Sequence, residues 1–209
     1  MKSILRLLTA VFLLLASSAQ AQYPELKEGD LVFQDLDCGP LCDAIEAVTE
    51  GYQNRDFSHV AIIIKHNKRL MALEAIGSKV HVIAIDSLMS RCPMKNKYLV
   101  MRLNKEYSHL IPMISKKAKS YIGLSYDDRF IMNNDSMYCS ELVYELYQEP
   151  KSKEYLFPLQ AMTYKQPGKN EYFPVWINYY KNLQSAIPEG LPGINPGLIS
   201  RSPYLHIVE

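Results

Sequence analysis

An amide can be hydrolysed by a thiol that loses its proton easily, an imidazole that takes and returns that proton, and a carboxylate that orients the imidazole. Cys139 is the candidate thiol. It stands in NNDSMYCSELVYELY, residues 133–147, where a polar turn meets an apolar-periodic run. A helix that opens at this join leaves its first N–H groups unpaired and puts the positive end of its dipole at the sulfur. Both favour the thiolate, and the same N–H groups can donate to the oxyanion of a tetrahedral intermediate. The competing reading makes Cys139 a small buried filler at a helix start.

The chain has five histidines. His66 falls in a turn, His109 on the polar side of a helix start and His206 in the tail, while His81 alternates on a strand and is either core or surface. His59 differs, because it heads SHVAIIIK, the most apolar strand of the chain. A lone histidine there is most often a packed structural residue, but Glu74 changes the weighing. Its carboxylate is embedded in the apolar stretch MALEAI, where an unpaired charge is costly. An even turn centred on His66-Asn67 sets residue 59 opposite 74. One centred on Asn67-Lys68 sets 59 opposite 76, with 74 diagonal on the same face. An odd-length loop puts Glu74 on the other face and breaks the pairing.

The elements that must position these groups are legible in outline. GDLVFQ (29–34), SHVAIIIK (58–65), RLMALEAI (69–76), KVHVIAID (79–86) and YLVMRL (98–103) read as strands, mostly paired with sequence neighbours in an antiparallel sheet. CDAIEAVTEG (42–51) reads as a helix stopped by Gly51. A second helix is expected from about Glu106 to Ile122, with Asn104 as N-cap, Pro112 near the start of its regular part and Gly123 as its stop. A third opens at Cys139 with Leu142, Val143 and Leu146 facing inward. The Pro/Gly-rich tail, residues 186–203, is expected to lie extended over the body. Strands first and helices after point to an α+β fold.

With these blocks in hand, the chain resembles a known family. GDLVFQ, FSHVAIII, LEAI, YIGLSYDDRF and MYCSELVYE follow the motif series of the YiiX/YaeF-like, circularly permuted papain-like amidases, in the NlpC-type branch of cysteine-peptidase folds. In that permuted order the histidine and carboxylate precede the cysteine, as His59, Glu74 and Cys139 do here. The resemblance covers about residues 28–147, with an echo in NPGLISRSP. It implies a small antiparallel sheet packed against helices, a Cys139–His59–Glu74 triad and cleavage of an amide through a thioester; separately, no cofactor and no metal are expected. It also marks Tyr126 and Asp127 of YDDRF, and Tyr138 beside the nucleophile, as substrate-facing candidates. Asp127 has a second reading, as a staple of its own loop. The segment DCGPLC departs from the family pattern; Cys38 and Cys42 could form a small-loop disulfide, although spacing does not establish one.

Composition bounds the rest. Residues 1–21 read as a signal peptide: Lys2 and Arg6 precede an apolar run at Leu7–Leu15 that is too short to span a bilayer, and Ala19-Gln20-Ala21 gives a small-residue cleavage site. The expectation is a single exported domain over 22–209, periplasmic or secreted, with no later membrane segment. The formal charge of +1 becomes −1 without Lys2 and Arg6, which gives no electrostatic case for nucleic acid. One close cysteine pair falls short of a four-thiolate zinc site. No G-x-S-x-G elbow, H-E-x-x-H pair or phosphate-binding glycine loop is present. The expected partner is a small peptide, an amino-acid amide, a cell-wall peptide fragment or a lipid-linked amide. Two alternatives stand beside this reading. One is a catalytically silent peptide- or lipid-binding module on the same fold. The other is a thiol acyltransferase or phospholipase of the lecithin:retinol acyltransferase-like group, whose members usually carry Asn-Cys-Glu where this chain has Tyr-Cys-Ser.

Overall fold

A computed structural model describes residues 23–149 and 151–209. The signal-peptide reading of residues 1–21 lies outside them. An eight-stranded sheet forms the centre, comprising β1 (Leu31–Gln34), β2 (His59–His66), β3 (Arg69–Ile76), β4 (Lys79–Ile83), β5 (Tyr98–Leu103), β6 (Ser125–Tyr126), β7 (Ser136–Met137) and β10 (Leu205–Ile207). Its order is β10-β5-β1-β2-β3-β4-β6-β7, and every pairing is antiparallel except β6 with β7. A second sheet pairs β8 (Gln160–Ala161) with β9 (Pro192–Gly193).

The β2–β3 hairpin sets the site. His66 pairs with Arg69 across Asn67 and Lys68, whose φ values of 48° and 65° suit a two-residue turn with the twist of the strands. This is the turn centred on Asn67-Lys68, one of the two registers that keep residues 59 and 74 on one face. The sheet is buried on both sides, which explains the unbroken apolar run of β2. Val60, Ile62 and Ile64 join one core with Leu73, Leu142 and Val143, while Ala61 and Ile63 join a second with Ala72, Leu88 and Met89. By strand alternation His59 and Glu74 belong to the second face.

Helices α3 (Ile111–Tyr121) and α4 (Cys139–Leu146) cover the first face. Helix α2 (Ile85–Ser90) covers the second, and it takes residues that the sequence reading gave to a strand ending at Asp86. The strand stops at Ile83 because Ile85, Leu88 and Met89 carry their apolar contacts at helical spacing and bury against β3 and its neighbours. Helix α1 runs over Pro40–Glu46 rather than 42–51. Pro40 suits its first turn, and a Cys38–Cys42 disulfide closes across its start. Gly51 is no helix stop. A Cβ there would sit 2.3 Å from the Arg55 carbonyl oxygen, so the position is one of close backbone approach.

Asn104 does not cap by its side chain; its Nδ2 donates to the Pro203 carbonyl, and a 3₁₀ stretch, Lys105–Leu110, leads into α3. Helix α5 (Pro174–Asn182) has no counterpart in the sequence reading and packs on α1 through Trp176, Tyr180, Tyr164 and Ala44. The tail is not wholly extended. Asn195 accepts a hydrogen bond from the Leu198 N–H at 2.7 Å and caps α6 (Pro196–Ser200).

Candidate active site

Cys139 is the first residue of α4 and is buried, as is His59 at the first position of β2. The thiol hydrogen-bonds the His59 imidazole, and the backbone N–H groups of Val60 and Ser140 also point to the sulfur. His59 Nε2 lies 2.8 Å from Glu74 Oε2, which leaves Nδ1 as the ring nitrogen for Cys139. Glu74 is 1% exposed and takes a second donor on the same oxygen, Nη2 of Arg91, at 2.5 Å. Its other oxygen, Oε1, lies 3.3 Å from His81 Nε2.

The electrostatics follow from this row. Burial alone would raise the Cys139 thiol, but the hydrogen bond and charge of His59, helped by the two N–H groups, bring it below the ordinary cysteine value. Burial would lower His59; the hydrogen bonds to Cys139 and Glu74 overcome it and lift the imidazole to about 9. Glu74, which burial would push up, is held down to about 2 by the hydrogen bonds and charges of His59 and Arg91. Both shifts favour a thiolate–imidazolium pair at Cys139 and His59, with the Glu74 carboxylate behind it. The other free cysteine, Cys92, is also buried. Its thiol donates to the Asp35 carbonyl at 3.3 Å, and burial, followed by the charge of Asp35, pushes it up to about 11.

One further acid sits under the nucleophile. Glu141, in the first turn of α4, is 2% exposed; Oε1 accepts from the Asn133 N–H at 3.3 Å and Oε2 makes no hydrogen bond. Burial, then the charge of Asp127, raises it to about 8 against the donation of the Asn133 and Tyr138 N–H groups. An acid with a raised folded pKa holds its proton better folded than unfolded, so its contribution to stability falls as pH rises from about 4.5 through about 8. Glu141→Gln is expected to leave stability near pH 5 almost unchanged and to raise it at pH 9 by a few kcal/mol. Urea unfolding at the two pH values checks this; equal changes at both would show that Glu141 is ionised throughout.

Tyr126 and Tyr138 line a narrow cavity of about 60 Å³ that reaches Cys139, together with Phe130, Met162, Trp176 and Ile194. Asp127 does not line it. Its Oδ1 accepts the Arg129 N–H at 2.9 Å, and its Oδ2 accepts the Ile131 N–H at 2.8 Å and the Asn134 side chain at 3.1 Å. It is the staple of its loop, and a substrate amine would have to break those bonds. Tyr126 and Tyr138 were legible in the sequence, whereas Arg91 and the rest of the aromatic wall, Phe130, Tyr164 and Trp176, were missed. His81 was open to discovery, since it stands directly opposite Glu74 across the Gly77-Ser78 turn. Arg91 follows an unforeseen helix and offered no periodic signal.

A strand-borne histidine and carboxylate, preceding in sequence a helix-opening cysteine that they meet in space, define a permuted papain-like enzyme fold. The chain belongs to the permuted papain-like amidase family YaeF/YiiX, C92, whose model matches residues 25–209. It is similar to an uncharacterized protein, YiiX of Escherichia coli strain K12, at 31% identity over 137 residues; the match spans 65% of this chain and 63% of that protein's length. A solved structure titled metalloprotein yiiX from Escherichia coli O157:H7 superposes with a TM-score of 0.67 at 24% identity, covering 88% of this chain and 96% of that one. At that identity the likeness is one of fold.

Proposed function

We propose that the protein is an exported cysteine amidase that works through a thioester acyl-enzyme. Cys139 sulfur attacks the amide carbonyl carbon, and the C–N bond breaks as the imidazolium of His59 gives its proton to the departing nitrogen. Water then attacks the thioester. His59 takes a proton from that water, the C–S bond breaks, and the acid leaves as the thiolate returns. Glu74 holds the imidazole with its Nε2–H engaged, so that Nδ1 serves the sulfur. The observation that carries the reading is the continuous buried row Cys139–His59–Glu74, with the pKa of sulfur lowered and that of imidazole raised by each other.

The cavity narrows the substrate. The leaving nitrogen must lie over His59, which protonates it, so a space that reaches Cys139 without His59 among its walls is read as the acyl side. Apart from the nucleophilic sulfur of Cys139, no wall residue carries a formal charge. An acidic or cationic acyl group would be desolvated there without a partner, which is costly; an uncharged, apolar one fits. Export is part of the same proposal, supported by the pattern of residues 1–21 and by a Cys38–Cys42 disulfide, a bond that persists outside a reducing cytoplasm. The fold neighbour's title names a metalloprotein. Among the described residues here no group of three or more His, Cys, Asp or Glu side chains is arranged to hold an ion. The nearest approach, Glu74 with His59 and His81, has a guanidinium on the carboxylate, so no step is routed through a metal.

The test is a series of aminocoumarin amides whose acyl side is acetyl, octanoyl, N-acetyl-leucyl, N-acetyl-phenylalanyl, N-acetyl-glutamyl or N-acetyl-lysyl. Turnover is expected for apolar acyl groups and not for glutamyl or lysyl, and Cys139→Ala should abolish it. Equal turnover of the charged members would overturn the acyl-side assignment. Activity surviving in Cys139→Ala would overturn the mechanism, and ester turnover without amide turnover would favour the acyltransferase group.

A further inference from the structure

The carboxylate of Glu74 is more than the third member of a triad. Three cationic or potentially cationic side chains face it, each from a different element: His59 from β2, His81 from β4, and Arg91 from the residue that ends α2. They are not equivalent. His59 and Arg91 share Oε2, whereas His81 approaches Oε1 at 3.3 Å without a formed hydrogen bond, so Oε1 remains unpaired. Arg91 thus presses on the one oxygen that holds the imidazole.

Charge counting gives that contact a consequence. In the resting site Cys139, His59, Glu74 and Arg91 alternate as minus, plus, minus and plus, and sum to zero. Cys139, His59 and Glu74 are buried and Arg91 is partly exposed; a row of zero net charge is tolerable there, and removing one cation leaves the buried Glu74 charge less compensated. We propose that Arg91 is a positioning residue of this active site: its guanidinium fixes Glu74 Oε2 toward His59 and keeps the carboxylate ionised, so that the thiolate–imidazolium pair survives into acid. The inference rests on the triad reading above. Without Arg91, Glu74 takes up a proton at higher pH, the imidazolium loses its counter-charge, and the His59 proton returns to sulfur.

The experiment needs no substrate. Carbamidomethylation of Cys139 by iodoacetamide is followed by peptide mass from pH 3 to 9 in the wild type, Arg91→Gln, Arg91→Lys and His81→Gln. Arg91→Gln keeps a donor and removes the charge; Arg91→Lys keeps the charge and removes the fork. The acid midpoint of labelling is expected to rise by about one pH unit in Arg91→Gln. It should move much less in Arg91→Lys and stay in place in His81→Gln. A packing role for Arg91 would lower the melting temperature in both Arg91 variants and leave every midpoint where it was, and that result overturns the proposal. If Arg91→Gln fails to fold, Arg91→Met, which fills the space without the charge, takes its place: a midpoint raised by about one pH unit supports the proposal, and one near wild type overturns it. A wild-type midpoint near about 8.5, the free-cysteine value, would sink the triad itself. A low wild-type midpoint that ignores Arg91→Gln sinks this inference alone.

Discussion

His59→Ala is expected to cut amide turnover by at least about 10³-fold and to return Cys139 to the reactivity of an ordinary buried thiol. Burial is the largest influence on the Cys139 thiol, and it acts against ionisation. His59 supplies the two strongest opposing effects, a hydrogen bond and a positive charge. The N–H groups of Val60 and Ser140 remain in the variant, but a pair of backbone donors does not replace a cation at hydrogen-bond distance. The labelling midpoint should therefore pass from below the free-cysteine value of about 8.5 to above it. Iodoacetamide labelling on a Cys92→Ser background isolates the effect, because Cys92 is the other free thiol among the described residues. A midpoint unmoved by the loss of His59 would mean that the helix start alone ionises the sulfur. The chain would then read as a binding module that retains the cleft.

Why His59 and Glu74 could be found from sequence, and Arg91 could not, is a matter of period and distance. A strand pair with a two-residue turn has few registers, so the hairpin of β2 and β3 carried its own geometry. The helix at Cys139 announced itself by a polar turn followed by Leu142, Val143 and Leu146 at helical spacing. Helix α2 has six residues, too few to show a period, and its apolar positions extend the strand pattern of β4 without a break. Helix α5 is held by aromatic packing on α1, a contact between residues more than 120 apart in sequence. Local pattern carries no trace of such a partner. The cavity wall inherits this difficulty, since Phe130, Met162, Trp176 and Ile194 reach it from four separate segments. Asp127 shows the opposite failure: the motif was visible, and only the hydrogen bonds to Arg129, Ile131 and Asn134 decide that it serves its own loop.

Glu74→Ala should be the most destabilising single change at the site, at about 3–5 kcal/mol near pH 5.5, because it leaves His59 and Arg91 without the anion between them. For a domain of this size that corresponds to a loss of about 10 °C in Tm. The pH dependence separates this cause from a simple cavity. The folded pKa of Glu74 is depressed to about 2, so its stabilisation is present above about 4.5 and is lost as pH falls toward 2. The folded pKa of His59 is raised to about 9, so its share is complete below about 6.5 and is lost as pH rises through 9. The stability gap between wild type and Glu74→Ala is therefore expected to be widest between about pH 4.5 and 6.5 and to narrow on both sides. Urea unfolding at pH 3, 5.5 and 9 reads it directly. A gap of one size at all three would assign the loss to packing and would remove Glu74 from the charge row. Glu74→Gln sharpens the distinction, since it fills the same space without the charge. It should reproduce most of the loss at pH 5.5, because an amide facing both an imidazolium and a guanidinium offers one neutral acceptor where two cations need an anion.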